Sequence, residues 1–306
     1  MTHRLNAFLL VLAALVGLPY YWLLVGNPAR SAAPHPLTIG QLRDLAGAMP
    51  GQRPSQVTMF FVAWKRVPGN LYAAGSGMKR RQFGVLAWRL TVPGQAPIMI
   101  DTGTTRNLAE AMDGEAFVAR SQAAVDREMA GAGLILATSE RPQHLGGLAA
   151  FARRPKAAVA LSRARLNPDQ LPGTPVAGIA GWPPTLVLRP AFSGTAPRAV
   201  APGVVVIPTG SPSPGAQMIF VRLANGREYL FAGDIAPFHN NLTELRVRSR
   251  LLDLDVPNAA RREQMRWLIT LRALARSAPG LVVMPGHDYD WIVAAENRTN
   301  VVPWNE

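Results

Sequence analysis

Leu134 to Phe151 reads LILATSERPQHLGGLAAF. An apolar run of strand length, a short polar loop and a Gly-Gly pair opening a helix follow one another directly. Leu134–Ala137 is expected as a buried strand and Gly146–Arg153 as a helix. The loop between them holds Ser139, Glu140, Arg141, Pro142, Gln143 and His144. A frame suited to presenting ligands therefore carries a single histidine.

Three other segments have the same form. PIMI precedes Asp101, YLFAG precedes Asp234, and LVVMPG precedes His287. Loops at strand ends are where α/β proteins build their sites. One histidine after a strand is commonly a hydrogen-bonded structural group. Two histidines and two carboxylates at equivalent exits point to one shared site.

Outward from these loops, Val57–Ala63, Phe83–Val92 and Ala96–Ile100 read as strands. Thr38 is placed to cap a helix running to Ala48, and Asp113 to cap one from Gly114 to about Ala130. Ala157–Leu161 is a further strand candidate, and Asn167–Pro202, rich in Pro and Gly, reads as irregular surface. Gly203–Ile207, Met218–Leu223 and Tyr229–Phe231 are strands, the last two joined by the hairpin signal Asn225-Gly226. Asn258–Ala278 is a helix whose apolar stripe is Trp267, Leu268, Leu271, Leu274 and Ala275, and Leu281–Met284 is the final strand. There are no internal repeats. The order of elements predicts α/β layers in one domain, residues 34–306, behind an N-terminal segment, residues 1–33.

The chain has 306 residues, 48% hydrophobic and 17% charged, a globular composition. Its net charge is +13. An Arg-rich proteome would account for that, and so would an anionic membrane surface or an acidic ligand. No basic run carries interleaved aromatics, so nucleic acid is not an expected partner. With no cysteine, disulfides, thiolate metal sites and Cys nucleophiles are excluded. No Gly-x-Ser-x-Gly elbow or Gly-rich phosphate loop is present.

Residues 7–26, AFLLVLAALVGLPYYWLLVG, carry no charge and match the roughly 20 residues that cross a bilayer core. Two readings compete: an uncleaved single-pass anchor, or a signal peptide cleaved near Ser31-Ala32-Ala33 and a secreted body. The length of the run, the interfacial aromatics Tyr20, Tyr21 and Trp22, and Pro34 after the best cleavage point favour the anchor. Arg4 and the basic start place the body in the periplasm or outside the cell.

The motifs IMIDTG, TSERPQHLGGL, SPSPG before a hairpin, YLFAGD and VMPGHD occur in an order that resembles the metallo-beta-lactamase fold superfamily, across about Phe83 to Trp291. VMPGHDYDW resembles the last motif of its lactonase branch. The resemblance implies an αββα sandwich, and hydrolysis of esters or lactones at a two-metal site. The family's first metal loop is His-x-His-x-Asp-His before Gly-Gly, and this chain supplies Ser139, Arg141, Gln143 and His144 there. The next ligand histidine falls on Pro212, within Ser211-Pro212-Ser213, while the bridging Asp matches Asp234 and the last His matches His287. The first metal's histidines are thus replaced, whereas His144, Asp234 and His287 of the second set remain.

Proline offers no side-chain ligand, serine is a poor neutral one, and arginine has no lone pair. A divalent cation about 4 Å from Arg141 would be repelled by roughly 8 kcal/mol at an effective dielectric near 20. That argues against two metals. Two accounts follow. Either one divalent metal, Zn or Fe, sits on His144, Asp234 and His287 with Gln143 as a weak fourth donor, or no metal is held and Arg141 pairs with Asp234. Asp101 is expected to orient a site residue; a simple turn at Asp101-Thr102-Gly103, or an aspartic-protease-like carboxylate needing a second copy, are its rivals. His239 is expected as a surface loop residue. Two functions remain: a non-catalytic or weakly active envelope protein binding a small molecule or partner through Arg141, and a single-metal hydrolase in which Asp234 also orients water.

Overall fold

The computed structural model describes residues 3–28, 30–155, 157–175, 180–254 and 256–305. Two sheets face each other. The first has the order β11-β1-β2-β3-β5, with β4 pairing on β1: β1 is Gln56–Pro68, β2 Arg80–Thr91, β3 Ile98–Ile100, β4 Ala116–Phe117, β5 Leu134–Leu136 and β11 Val302–Pro303. The second runs β10-β9-β8-β7-β6: β6 is Arg198–Ala201, β7 Val204–Pro208, β8 Gln217–Arg222, β9 Glu228–Phe231 and β10 Leu281–Met284.

The two-residue period of these strands sorts their side chains into three cores. Val57 and Met59 of β1, Leu86 and Trp88 of β2, Ile219 and Val221 of β8, and Tyr229 and Phe231 of β9 meet between the sheets. The alternate residues Phe60, Val62, Val85 and Ala87 pack outward against helices Ala119–Gly131, Pro142–Phe151 and Ala157–Arg163. Met218, Phe220 and Leu230 do the same against helices Ile39–Gly47 and Asn258–Ser277. The result is four layers, helix, sheet, sheet, helix. Thr38 caps Ile39–Gly47 through a capping box with Gln41, and Asn225-Gly226 turns β8 into β9 with Gly226 at φ +84°.

Several expectations change. Ala157–Leu161 is helix Ala157–Arg163, not a strand: the Ala-rich segment lays Ala157 and Ala160, three apart, on the core. Asp113 caps nothing. It sits at φ +58° after helix Arg106–Ala111, whose cap is Thr105, and the chain then pairs with β1 through β4 before helix Ala119–Gly131 begins. The span Asn167–Pro202 includes β6 and the buried Asn167 and Gln170, whose amides hold the carbonyl of Gly215. The helix after β5 starts at Pro142 rather than Gly146, because proline suits the first helical position. Gln143 and His144 therefore belong to the helix's first turn, not to a loop.

The N-terminal helix, His3–Tyr20 with a π-helical turn at Tyr21–Val25, is long and apolar enough to cross a membrane and buries no side chain along His3–Tyr20. Its base is stitched to the body. Gly75 N donates to the carbonyl of Leu24 and Leu251 N to that of Leu23. Asn27 Nδ2 donates to the carbonyls of Val25 and Ala74, and its Oδ1 accepts from Val247 N. Arg250 lies 5.3 Å over the Trp22 ring.

Candidate metal centre

The four strand exits come together in pairs. β3 and β5 are parallel neighbours in one sheet, β9 and β10 in the other, so the same ends of each pair meet at one edge of the sandwich. Glycines permit the approach. A Cβ on Gly147 would lie 1.8 Å from the Thr102 carbonyl oxygen, and one on Gly146 would lie 2.8 Å from Leu108 Cδ1. The helix is thus pressed onto the Asp101–Thr104 turn, where Thr102 N and Oγ1 both donate to the carbonyl of His144. Gly286 meets Gly233 as closely, with a Cβ there 2.5 Å from the Gly233 carbonyl oxygen. This draws the Asp234 and His287 loops together.

His144, Asp234 and His287, all buried, bring one ligand atom each within 4.8 Å of one another. His287 Nδ1 lies 2.8 Å from the carbonyl oxygen of Gly84, which can only accept, so that nitrogen carries the proton. Its Nε2 then presents a lone pair to Asp234 Oδ1 at 3.1 Å. His144 is oriented likewise: Nδ1 lies 2.9 Å from Asp101 Oδ2, while Thr138 N and Oγ1 hold the same carboxylate. His144 Nε2 lies 3.5 Å from Asp234 Oδ1 and, like Asp234 Oδ2, has no hydrogen-bond partner among the described residues.

Three electron-rich atoms facing one another in a buried site need a cation between them. Zn–N and Zn–O bonds of about 2.0–2.1 Å in a tetrahedron set ligand atoms about 3.3 Å apart, close to the 3.1 and 3.5 Å separations here. The donor set fits one divalent metal. In the apoprotein a proton takes its place. Burial opposes charge on His144, but Asp101 and Asp234 outweigh it and raise its pKa to about 10. Burial would raise the Asp234 pKa, yet His144, His287 and Arg141 hold it well below the ordinary carboxylate range. Burial lowers that of His287.

Arg141 Nε lies 3.7 Å from Asp234 Oδ2 and, unlike a metal ligand, brings positive charge to the carboxylate. Ser139, another of the replaced positions, sits in a small polar knot. Ser139 Oγ and Ser213 Oγ both donate to Glu140 Oε2, at 3.1 and 3.0 Å, in a fully buried cluster. Ser211 Oγ turns away to the carbonyl of Ala260. Gln143 follows Pro142 and lines an adjacent cavity of about 350 Å³ with Arg141. His239 is no loop residue: it opens helix His239–Glu244 and stacks on Trp291 at 4.3 Å, outside the cluster.

Three participants have no signature in the sequence. Thr138 bridges Asp101 and His144 through Oγ1, and the Gly84 carbonyl fixes His287 from a strand 203 residues away in sequence. Arg248, which lines the cavity, comes from the unremarkable run LRVRSR. The first was adjacent to the strand exit and could have been weighed as a hydroxyl partner of Asp101. The other two depend on tertiary approach.

The sequence matches no family model and no curated protein. Solved structures match its fold. An N-acyl homoserine lactone lactonase described as quorum-quenching is 16% identical with a TM-score of 0.60, over 79% of this chain and 95% of that one. An N-acyl homoserine lactone hydrolase with the product N-hexanoyl-L-homoserine at its catalytic metal centre is 16% identical with a TM-score of 0.59, over 82% and 98%. A probable metal-dependent hydrolase from Staphylococcus aureus is 13% identical with a TM-score of 0.54, over 78% and 91%. The chain has the metallo-beta-lactamase fold. Its neighbours are metal-dependent hydrolases, lactonases among them, and it keeps a His-Asp-His cluster that fits a divalent metal.

Proposed function

We infer that the protein is a single-metal hydrolase of esters or lactones, with His144, Asp234 and His287 as ligands, Gln143 as a weak fourth donor and Arg141 standing in for the absent second cation. The observation that carries this is the convergence of two imidazoles on one carboxylate: both are pinned through Nδ1, by Asp101 and by the Gly84 carbonyl, so that both Nε2 atoms face Asp234. A remnant under no functional demand has no reason to keep two such orienting bonds. A divalent metal bound there would polarise the scissile carbonyl and lower the pKa of a coordinated water. Asp234 Oδ2, without a hydrogen-bond partner among the described residues, is placed to orient that water. Arg141 donates to the oxyanion that develops as the carbonyl becomes tetrahedral. Asp101 and Thr138 hold His144 in register throughout.

A second reading, a metal-free binding protein, is favoured by the Arg141–Asp234 ion pair alone. One experiment separates the two. The full chain, purified in neutral detergent and loaded with Zn²⁺ or Fe²⁺, is expected to hold one equivalent of metal by elemental analysis. His287→Ala is expected to hold none, and a chelator to abolish hydrolysis of a chromogenic ester or lactone. Failure to take up metal, or the same stoichiometry in His287→Ala, would sink the hydrolase reading.

The length and apolar composition of the N-terminal helix support a membrane anchor, and the basic start before it favours a body on the periplasmic or outer side.

A further inference from the structure

The cavity beside Asp234 is lined by three cationic side chains, Lys65, Arg141 and Arg248, and one carboxylate, Asp113. Arg248 is the unusual member. It is 3% exposed, its Nη2 donates to Asp253 Oδ1 at 2.5 Å, and its Nε and Nη1 have no partner among the described residues. Burial and the neighbouring Arg141 guanidinium both depress its pKa. Lys65 is partly buried, with Nζ donating to the carbonyl of Met112 at 2.6 Å. Unused guanidinium donors in a buried wall, set near a second guanidinium, are costly unless an anion occupies the space between them. The planar fork of arginine matches carboxylate and phosphate oxygens in particular.

Apart from Gln143 and Tyr72, the rest of the lining is apolar or glycine. Trp64, Phe83, Met112 and Leu252 form walls that a purely ionic ligand would not use. The turn that carries Arg248 and Leu252 is also the one bonded to the base of the N-terminal helix, where Leu251 N donates to the Leu23 carbonyl. Leu251 and Leu254 on this turn, and Met78 beyond it, are exposed. A ligand with both a charged end and an apolar end would find the wall of the cavity continuous with the foot of the apolar helix.

We propose that this cavity binds an amphiphilic oxyanion, its carboxylate or phosphate group held between Arg141 and Arg248 and its apolar chain laid against Trp64, Phe83, Met112 and Leu252. Under the hydrolase reading it names the substrate class, an acidic amphiphilic ester, and for that role alone it rests on that reading. Binding itself needs only the two arginines.

The test is calorimetric titration of the full chain in neutral detergent with hexyl phosphate, hexanol and inorganic phosphate. Hexyl phosphate is expected to bind one to one and at least tenfold more tightly than either of the others. Arg141→Gln and Arg248→Gln are each expected to weaken it at least tenfold. Arg248→Lys, retaining the charge opposite Asp253, serves if Arg248→Gln does not fold, and is expected to weaken binding less than Arg141→Gln. His287→Ala is expected to lose metal and still bind hexyl phosphate, so the two readings fail separately. Absence of saturable binding, equal affinity for inorganic phosphate, or indifference to both arginine substitutions overturns the proposal.

Discussion

At the scale of single residues, the site combines three converging side chains that fit one divalent metal with one fixed cation. Arg141 both repels a metal ion near Asp234 and supplies charge to it, so its removal has opposite effects on two measurements. Arg141→Gln is expected to tighten metal binding in a chelator competition and to lower kcat on an ester substrate by roughly 10²-fold, the size seen when one oxyanion donor is lost. Weaker metal binding in that variant would show that Arg141 supports the cluster rather than substituting for part of it. Asp101 acts one shell out. Losing its carboxylate frees the His144 ring, and Asp101→Asn is expected to weaken metal affinity roughly 10- to 100-fold. Metal affinity equal to the parent's would assign Asp101 to the turn alone.

His239 offers a residue-scale prediction away from the site. Burial lowers its pKa, and it stacks on Trp291. The folded state therefore prefers the neutral ring, and the unfolded chain takes up the proton more readily. Stability from this residue is present above the ordinary histidine pKa and is lost as pH falls through it toward the depressed folded value. Denaturant melts between pH 7 and 5 are expected to show a smaller loss in His239→Phe than in the parent.

At the scale of elements, the Gly146-Gly147 pair is what lets helix Pro142–Phe151 lie on the Asp101–Thr104 turn. Gly147→Ala would put a methyl inside the van der Waals radius of the Thr102 carbonyl oxygen. The backbone cannot yield there without moving His144, whose carbonyl bonds Thr102 twice. The substitution is expected to cost about 1–3 kcal/mol in a denaturant melt, the range for overpacking, and to lower metal affinity with it. A drop in stability with unchanged metal affinity would mean that the cluster tolerates the helix shift.

Elements are also where legibility from sequence can be judged. Long apolar or amphipathic segments declared themselves: Leu281–Met284 and the long helix from Asn258 lie where the pattern puts them, because burial on one face dictates both. Ala157–Arg163 did not, since a short apolar run has no period that separates strand from helix. The site was legible in its chemistry but not in its geometry. His144, Asp234 and His287 stood out by residue type at strand ends, whereas Arg248 and the Gly84 carbonyl joined only through contacts between segments far apart in sequence.

At the scale of the whole molecule, the N-terminal segment is part of the body's construction. Asn27 alone makes three side-chain hydrogen bonds, bridging residues 25, 74 and 247. Its replacement by alanine would leave those partners without it, and Asn27→Ala is expected to cost about 1–3 kcal/mol in a thermal or denaturant melt. A chain begun after residue 33 would lose all of these bonds together, so its behaviour would report on a different molecule. An unperturbed melt for Asn27→Ala would show the segment to be a mere tether.

The covalent placement of Arg141 beside Asp234 has a consequence for how the protein meets its surroundings. A two-ion centre fills in proportion to the square of ion availability at the dilute end, and falls silent first when supply fails. Under the one-metal reading, part of the positive charge is built into the chain as Arg141 and cannot be stripped away by a competitor or a chelator. The loading curve should then be a simple hyperbola with a Hill coefficient of one, and the protein would keep working under scarcity that empties a paired centre.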